Sequence, residues 1–181
     1  MIRTTGLVLM TYLPRRIDDI KALTAIVHKR GLIDTRTMKP LDFPGCLEIL
    51  SEDQLKSGED FDTALIRIMP KRLGQKFADH YNNGLHGLVV YEVHTSQLEM
   101  VVFGAYIDSK LLNLIQLPAG SGGLYPLQEG QIIGGHITPI PEACGKLRED
   151  GPKFDLNFMA ASHIKAVEKA FSIYKIQEDD E

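Results

Sequence analysis

The sequence predicts a single α+β domain: a mostly antiparallel sheet packed by about three helices. Three observations predict it. The stretch LHGLVVYEVHTSQLEMVVFGAYI holds two apolar, β-rich runs around the polar break HTSQ, which is the pattern of a hairpin. Ala160, Ile164, Val167, Phe171 and Tyr174 recur at helical spacing, with Lys165, Glu168, Lys169 and Lys175 mostly off that face, so 160–175 reads as a helix with one apolar side. Finally, 181 residues that are 44% hydrophobic and 24% charged suit one soluble globular unit, able to bury roughly 70% of its unfolded surface. The domain is expected over 1–176, with 177–181 as an acidic C-terminal tail.

Taken in order, TGLVLMTYL (5–13) reads as a buried strand. Pro14 has no N–H to lose and opens a helix over 15–30. Ile17, Ile20, Leu23 and Val27 share its face, and Gly31 stops it. Pro40 and Pro44 keep 33–44 irregular. CLEIL (46–50) is a short strand, and SEDQLKSG (51–58) is a helical turn begun by Ser51. TALIRIM (63–69) alternates as a strand. Pro70 opens a second helix, 71–81, with Leu73, Phe77 and Tyr81 inward and Asn82-Asn83-Gly84 as its close. After the hairpin, LLNLIQL (111–117) reads as a further strand, PAGSGGLYPLQEG as a long loop, and QIIGGHITPI as strand again.

Charge narrows the partners. Removing the four acids Glu178–Glu181 from the total of 24 leaves 20, against 20 Lys and Arg. The body is therefore near neutral, and binding to a phosphate backbone generally wants a clustered basic face. Nucleic acid is disfavoured. The N-terminus lacks the features of a secretory signal, and no run reaches the roughly eighteen apolar residues of a membrane span. With only Cys46 and Cys144, a reducing, cytoplasmic setting is expected, with no membrane association.

Two short motifs carry the clearest chemical signal. His94-Thr95-Ser96 and His136-Ile137-Thr138 each place a hydroxyl two residues after a His, so that in a strand both side chains point the same way. The pair resembles the motif of two-histidine phosphoesterases, although Thr95 stands where that family has an apolar residue. The resemblance implies His94 and His136 as base and acid, and Ser96 and Thr138 as phosphate ligands, acting on a nucleotide or RNA end. A second set, His80, His86, His94 and Asp79, lacks the local spacing of a zinc site, so no metal and no cofactor is expected. Cys144, placed to begin a short helix after Pro141, is a weaker candidate nucleophile.

The remaining signal is glycine. Six of the 16 glycines fall in 118–135, but no Lys-Ser/Thr follows as in a phosphate loop. A mobile loop presenting Leu124 and Tyr125 is expected. In the absence of a complete catalytic constellation, the leading expectation is a non-enzymatic binding or assembly module. It would meet a protein partner or itself through Gly120, Gly122, Gly123, Leu124 and Tyr125 and an exposed strand edge. The phosphoesterase is the second reading.

Overall fold

A computed structural model describes residues 1–15, 17–39, 41, 45–85, 87–140 and 157–179. In chain order the elements are β1 (Ile2–Pro14), β2 (Lys21–Lys29), β3 (Leu47–Glu48), β4 (Leu50–Gln54), α1 (Phe61–Leu73), α2 (Gln75–Gly84), β5 (Leu88–His94) and β6 (Leu98–Tyr106). A short 3₁₀ helix (Ser109–Leu114) follows, then β7 (Leu124–Gln128), α3 (Glu129–Ile133), β8 (Ile137–Ile140), β9 (Asn157–Ala160) and α4 (Ala161–Asp179). The strands form one mixed, largely antiparallel sheet in the order β5-β6-β1-β2-β3-β9-β8, with β4 also on β1 and β7 also on β2.

One irregularity shapes the molecule. β1 and β2 pair from Leu9–Pro14 against Lys21–Ile26 and then part. The chain from Leu47 to Gln54 fills the gap, β3 pairing with the end of β2 and β4 with the start of β1. The β1–β4 register shifts between Thr5 and Leu7. A Cβ on Gly6, which lies between them, would stand 2.3 Å from Ile49 Cδ1, so the Ile49 side chain would have to shift to admit one.

Helices cover both faces of the sheet. Leu7, Leu9 and Ile26 pack with Leu65, Met69, Leu73 and Phe77 of α1 and α2. Val8, Met10, Ala25 and Val27 pack with Val167, Ala170 and Phe171 of α4. Strands buried on both faces read as unbroken apolar runs, which is why 5–13 was identifiable. The hairpin is confirmed, its turn closed by Thr95 Oγ1, which accepts the N–H groups of Leu98 and Gln97. The final helix is confirmed as α4. No helix among the described residues is long and apolar enough to cross a membrane.

Several elements differ from expectation. The helix predicted over 15–30 is largely β2: Ile17 is 96% exposed, and the apparent four-residue rhythm is a coincidence over a two-faced strand. The predicted strand 63–69 lies in α1. There Ala64, Leu65, Ile68 and Met69 are buried, a helical rhythm that alternation cannot produce. Asp60 caps this helix by accepting the Thr63 N–H at 2.8 Å. Pro70 lies inside α1, and the second helix starts after Gly74, whose φ of 88° breaks the first. Residues 51–54 are strand rather than helical turn, and LLNLIQL is mostly the 3₁₀ helix and its exit.

Candidate functional site

The two His motifs are not brought together by any described contact. His94 ends β5 and His136 precedes β8, the two ends of the strand path. His94 is exposed and pairs with Glu99 at 3.4 Å and Glu92 at 3.7 Å. Ser96 sits in the hairpin turn, and His136 is exposed after α3. Thr138 lies in β8, with its side chain outside the described residues, as are His86 and Cys144.

The glycine-rich segment is not a free excursion. Leu124 and Tyr125 pair with His28 and Val27 of β2, and both pack against the core. Gly120 and Gly122 are pressed on the chain around Gly31: a Cβ on Gly122 would meet the Arg30 and Lys29 carbonyl oxygens at 2.7 and 2.8 Å. The expected mobile contact loop is a structural seam.

A large concavity among the described residues is lined by the chain around the parting of β1 and β2. It is a cleft of about 730 Å³. Its lining includes apolar side chains, Ile2, Leu47, Leu98 and Met100, and the charged or polar Arg30, Glu48, Glu52, Asp53, Arg72 and His163. A smaller cavity of about 30 Å³ adjoins it and shares Glu48, Glu52 and Arg72. Two hydroxyls, Thr4 Oγ1 in the cleft and Ser51 Oγ in the small cavity, are buried without a hydrogen-bond partner among the described residues. Buried polar atoms left so call for an explanation, which an ordered water, an ion or local strain can supply. Ser51 also holds a φ of 53°, which is left-handed strain for a non-glycine residue placed next to Glu52.

The charges are strongly coupled. Glu48 accepts from His28 Nδ1 at 2.8 Å and from Arg30 Nη1 at 3.3 Å. Burial opposes its charge, but the His28 bond together with Arg30 and His163 outweighs burial and lowers its pKa. Among the described residues Glu52 has no such partner. Burial, and then the negative charge of Glu48, push its pKa up to about 7, against the weaker pull of Arg30 and Arg72. Arg72 reaches Asp53 at 3.5 Å, both about half exposed. His163, 6% exposed, accepts the Ile49 N–H through Nδ1 at 3.4 Å.

Phosphate-bond cleavage is commonly assisted by a divalent cation held by several oxygen donors. Among the described residues no group of three or more His, Cys, Asp or Glu is placed to hold a metal ion. Glu48 is engaged by His28 and Arg30, and Asp53 by Arg72. These residues do not fit a divalent ion. Arg30, Glu48, Glu52 and Asp53 carry no motif in the sequence, and Lys71-Arg72 reads there as an ordinary surface pair; the one available signal is the acids Glu48 and Glu52 in a stretch otherwise apolar enough to be buried.

No protein-family model matches the chain, and no curated protein matches it. Solved structures do. The fold is similar to a mutT/nudix family protein from Listeria innocua, with a TM-score of 0.62 at 13% identity, over 97% of this chain and 95% of that one. It is similar to an Ap4A hydrolase from C. elegans, with a TM-score of 0.55 at 11% identity, over 98% and 99% of the two chains. The NUDIX domain of Shewanella oneidensis NrtR, complexed with ADP ribose, gives 0.52 at 12% identity, over 96% and 88%. These likenesses establish the fold.

They also correct the functional expectation. The fold is shared with proteins described as mutT/nudix and with a hydrolase. The non-enzymatic module and its protein partner are therefore set aside, and the phosphoesterase reading lies closer to the neighbours. The dismissal of nucleic-acid-type ligands falls as well. Net charge averages over the whole chain and concealed two Arg side chains on one cleft.

Proposed function

We propose that the chain is a hydrolase that cuts a phosphate bond in a small nucleotide-type compound held in the cleft. The observation that carries this reading is Glu52, a carboxyl pushed up to about 7 in a cleft lining that also includes Arg30 and Arg72. A group half ionised near neutrality is matched to taking a proton from water. Perturbed groups of this kind concentrate at functional sites.

In this mechanism Arg30 and Arg72 hold the non-bridging phosphate oxygens and balance the charge that spreads over them in the transition state. The Arg72–Asp53 pair is long and exposed, so an incoming phosphate displaces Asp53 at little cost. Water attacks phosphorus as Glu52 accepts its proton, and the bridging oxygen leaves with the bonding pair. Ile2, Leu47, Leu98 and Met100 offer an apolar surface for a base or sugar face. ADP ribose and Ap4A, associated with two fold neighbours, support the compound class.

The test offers ADP ribose and Ap4A to the full chain, following products by anion-exchange chromatography and binding by calorimetry. Turnover of either compound is expected. Arg72→Ala is expected to weaken binding about tenfold or more, as befits a charged hydrogen bond worth about 1.5–3 kcal/mol. Failure of both compounds to bind or turn over rejects the reading.

A further inference from the structure

Ser121, His28 and Glu48 form one hydrogen-bonded chain. His28 Nε2 lies 2.6 Å from Ser121 Oγ, and Nδ1 lies 2.8 Å from Glu48 Oε1. The proton directions follow from the chemistry. Glu48 also accepts from Arg30, and an ionised carboxylate can only accept. His28 therefore donates from Nδ1, which leaves Nε2 as the acceptor of the neutral ring. Ser121 donates its O–H to that nitrogen, while its Oγ accepts the Gly123 N–H at 3.1 Å. Hydroxyl, imidazole and carboxylate stand in the order and at the distances that activate a serine nucleophile.

Backbone hydrogen bonds also hold the loop. The Gly122 N–H donates to the Lys29 carbonyl and the Lys29 N–H to the Gly123 carbonyl, both at 2.9 Å. Gly120 and Gly123, at φ of 82° and 99°, make a turn that L side chains resist. Backbone contacts thus fix the segment just after Ser121, and the serine itself is half-buried. A site held by backbone on a sheet edge is the kind of support a reactive group requires.

We infer that Ser121 is a nucleophile toward carboxylic esters, with His28 as its base and Glu48 as the residue that positions the ring. Ser121 Oγ bonds to the ester carbonyl carbon and its proton passes to His28 Nε2. The carbon–oxygen bond to the alcohol then breaks, and the departing alcohol takes the proton from His28. Water enters by the same route, releases the acid and restores the hydroxyl. Glu52 and Arg72 take no part; Glu48 is shared with the cleft, so labelling at Ser121, which phosphate turnover does not require, is the readout that separates this activity from the phosphate reading.

The test treats the folded full chain with a fluorophosphonate probe and locates the adduct by peptide mass, with p-nitrophenyl acetate as the turnover substrate. Labelling at Ser121 is expected, together with a burst of one p-nitrophenol per chain. His28→Gln is expected to slow labelling by about 10²-fold or more, the range of a lost general base. Glu48→Gln is expected to slow it while Glu48→Asp restores part of the rate, a distinction that a loop anchor would not produce. Circular dichroism checks that each variant folds. Should His28→Gln fail to fold, Ser121→Cys replaces it: alkylation by iodoacetamide at position 121 no faster than that of an unfolded control would count against the triad. An unlabelled Ser121 in the wild-type chain, or equal labelling in folded His28→Gln, overturns the inference.

Discussion

Glu59 and Arg67 are joined by two parallel hydrogen bonds, Nε to Oε1 and Nη2 to Oε2, each 2.7 Å long. They tie the turn before α1 to its second turn, and Glu59 accepts the Lys56 N–H as well. The Arg67 bond first, then the Lys56 bond, push the Glu59 carboxyl down to about 2 from an ordinary 4.5. A depressed carboxylate supports the fold fully above its unfolded value and loses that support as pH falls. Unfolding stability is therefore expected to decline between about pH 4.5 and 2, and the decline is expected to be shallower in Glu59→Gln. Urea titrations across that range check it; equal slopes would show that the pair is not coupled to folding.

Glu52 has the opposite sign. Its folded value of about 7 lies above the ordinary 4.5, so between these values the native state keeps a proton that the unfolded chain has lost. The fold accordingly weakens as pH rises through this window. Glu52→Gln removes the penalty. It is expected to leave stability unchanged at pH 4 and to raise it at pH 8 by about 1–3 kcal/mol, since each tenfold change in proton affinity is worth about 1.4 kcal/mol and water at a half-buried group trims the total. Thermal unfolding at the two pH values checks this.

The sequence showed most clearly what is periodic over long stretches. β1, the β5–β6 hairpin and α4 each carry enough apolar residues to declare their period. β2 and α1 were exchanged for their opposites because short apolar runs fit both periods, and because Pro14 and Pro70 were both read as helix openers. Pro14 instead ends β1 in pairing with Lys21, and Pro70 is carried inside α1, where Gly74 bonds to its carbonyl. The cleft was hidden for a different reason. Arg30, the pair Glu48 and Glu52, and Arg72 come from three separate segments, brought together where β1 and β2 part. No local spacing records that event.

Gly31 is the position where the seam is tightest. A Cβ there would lie 1.7 Å from the Gly120 carbonyl oxygen and 2.9 Å from its carbon, so backbone must move to admit it. Gly31→Ala is expected to destabilise the fold by about 1–3 kcal/mol, the usual cost of overpacking, and to displace the loop that carries Ser121. Urea midpoints measure the first effect, and hydrogen exchange at Gly122, whose N–H bonds to Lys29, measures the second. Unchanged exchange would mean that the loop has room to shift.

The central claim is that Glu52 takes the proton from water during phosphate-bond cleavage in the cleft. The most direct measurement is the pH dependence of turnover on ADP ribose or Ap4A, for the wild-type chain and for Glu52→Gln. A rate that climbs tenfold per pH unit and levels off near pH 7 is expected, with this limb gone in Glu52→Gln and turnover reduced about 10²-fold or more while binding is kept. A variant that turns over as fast as the wild type, with the same pH profile, would contradict the account.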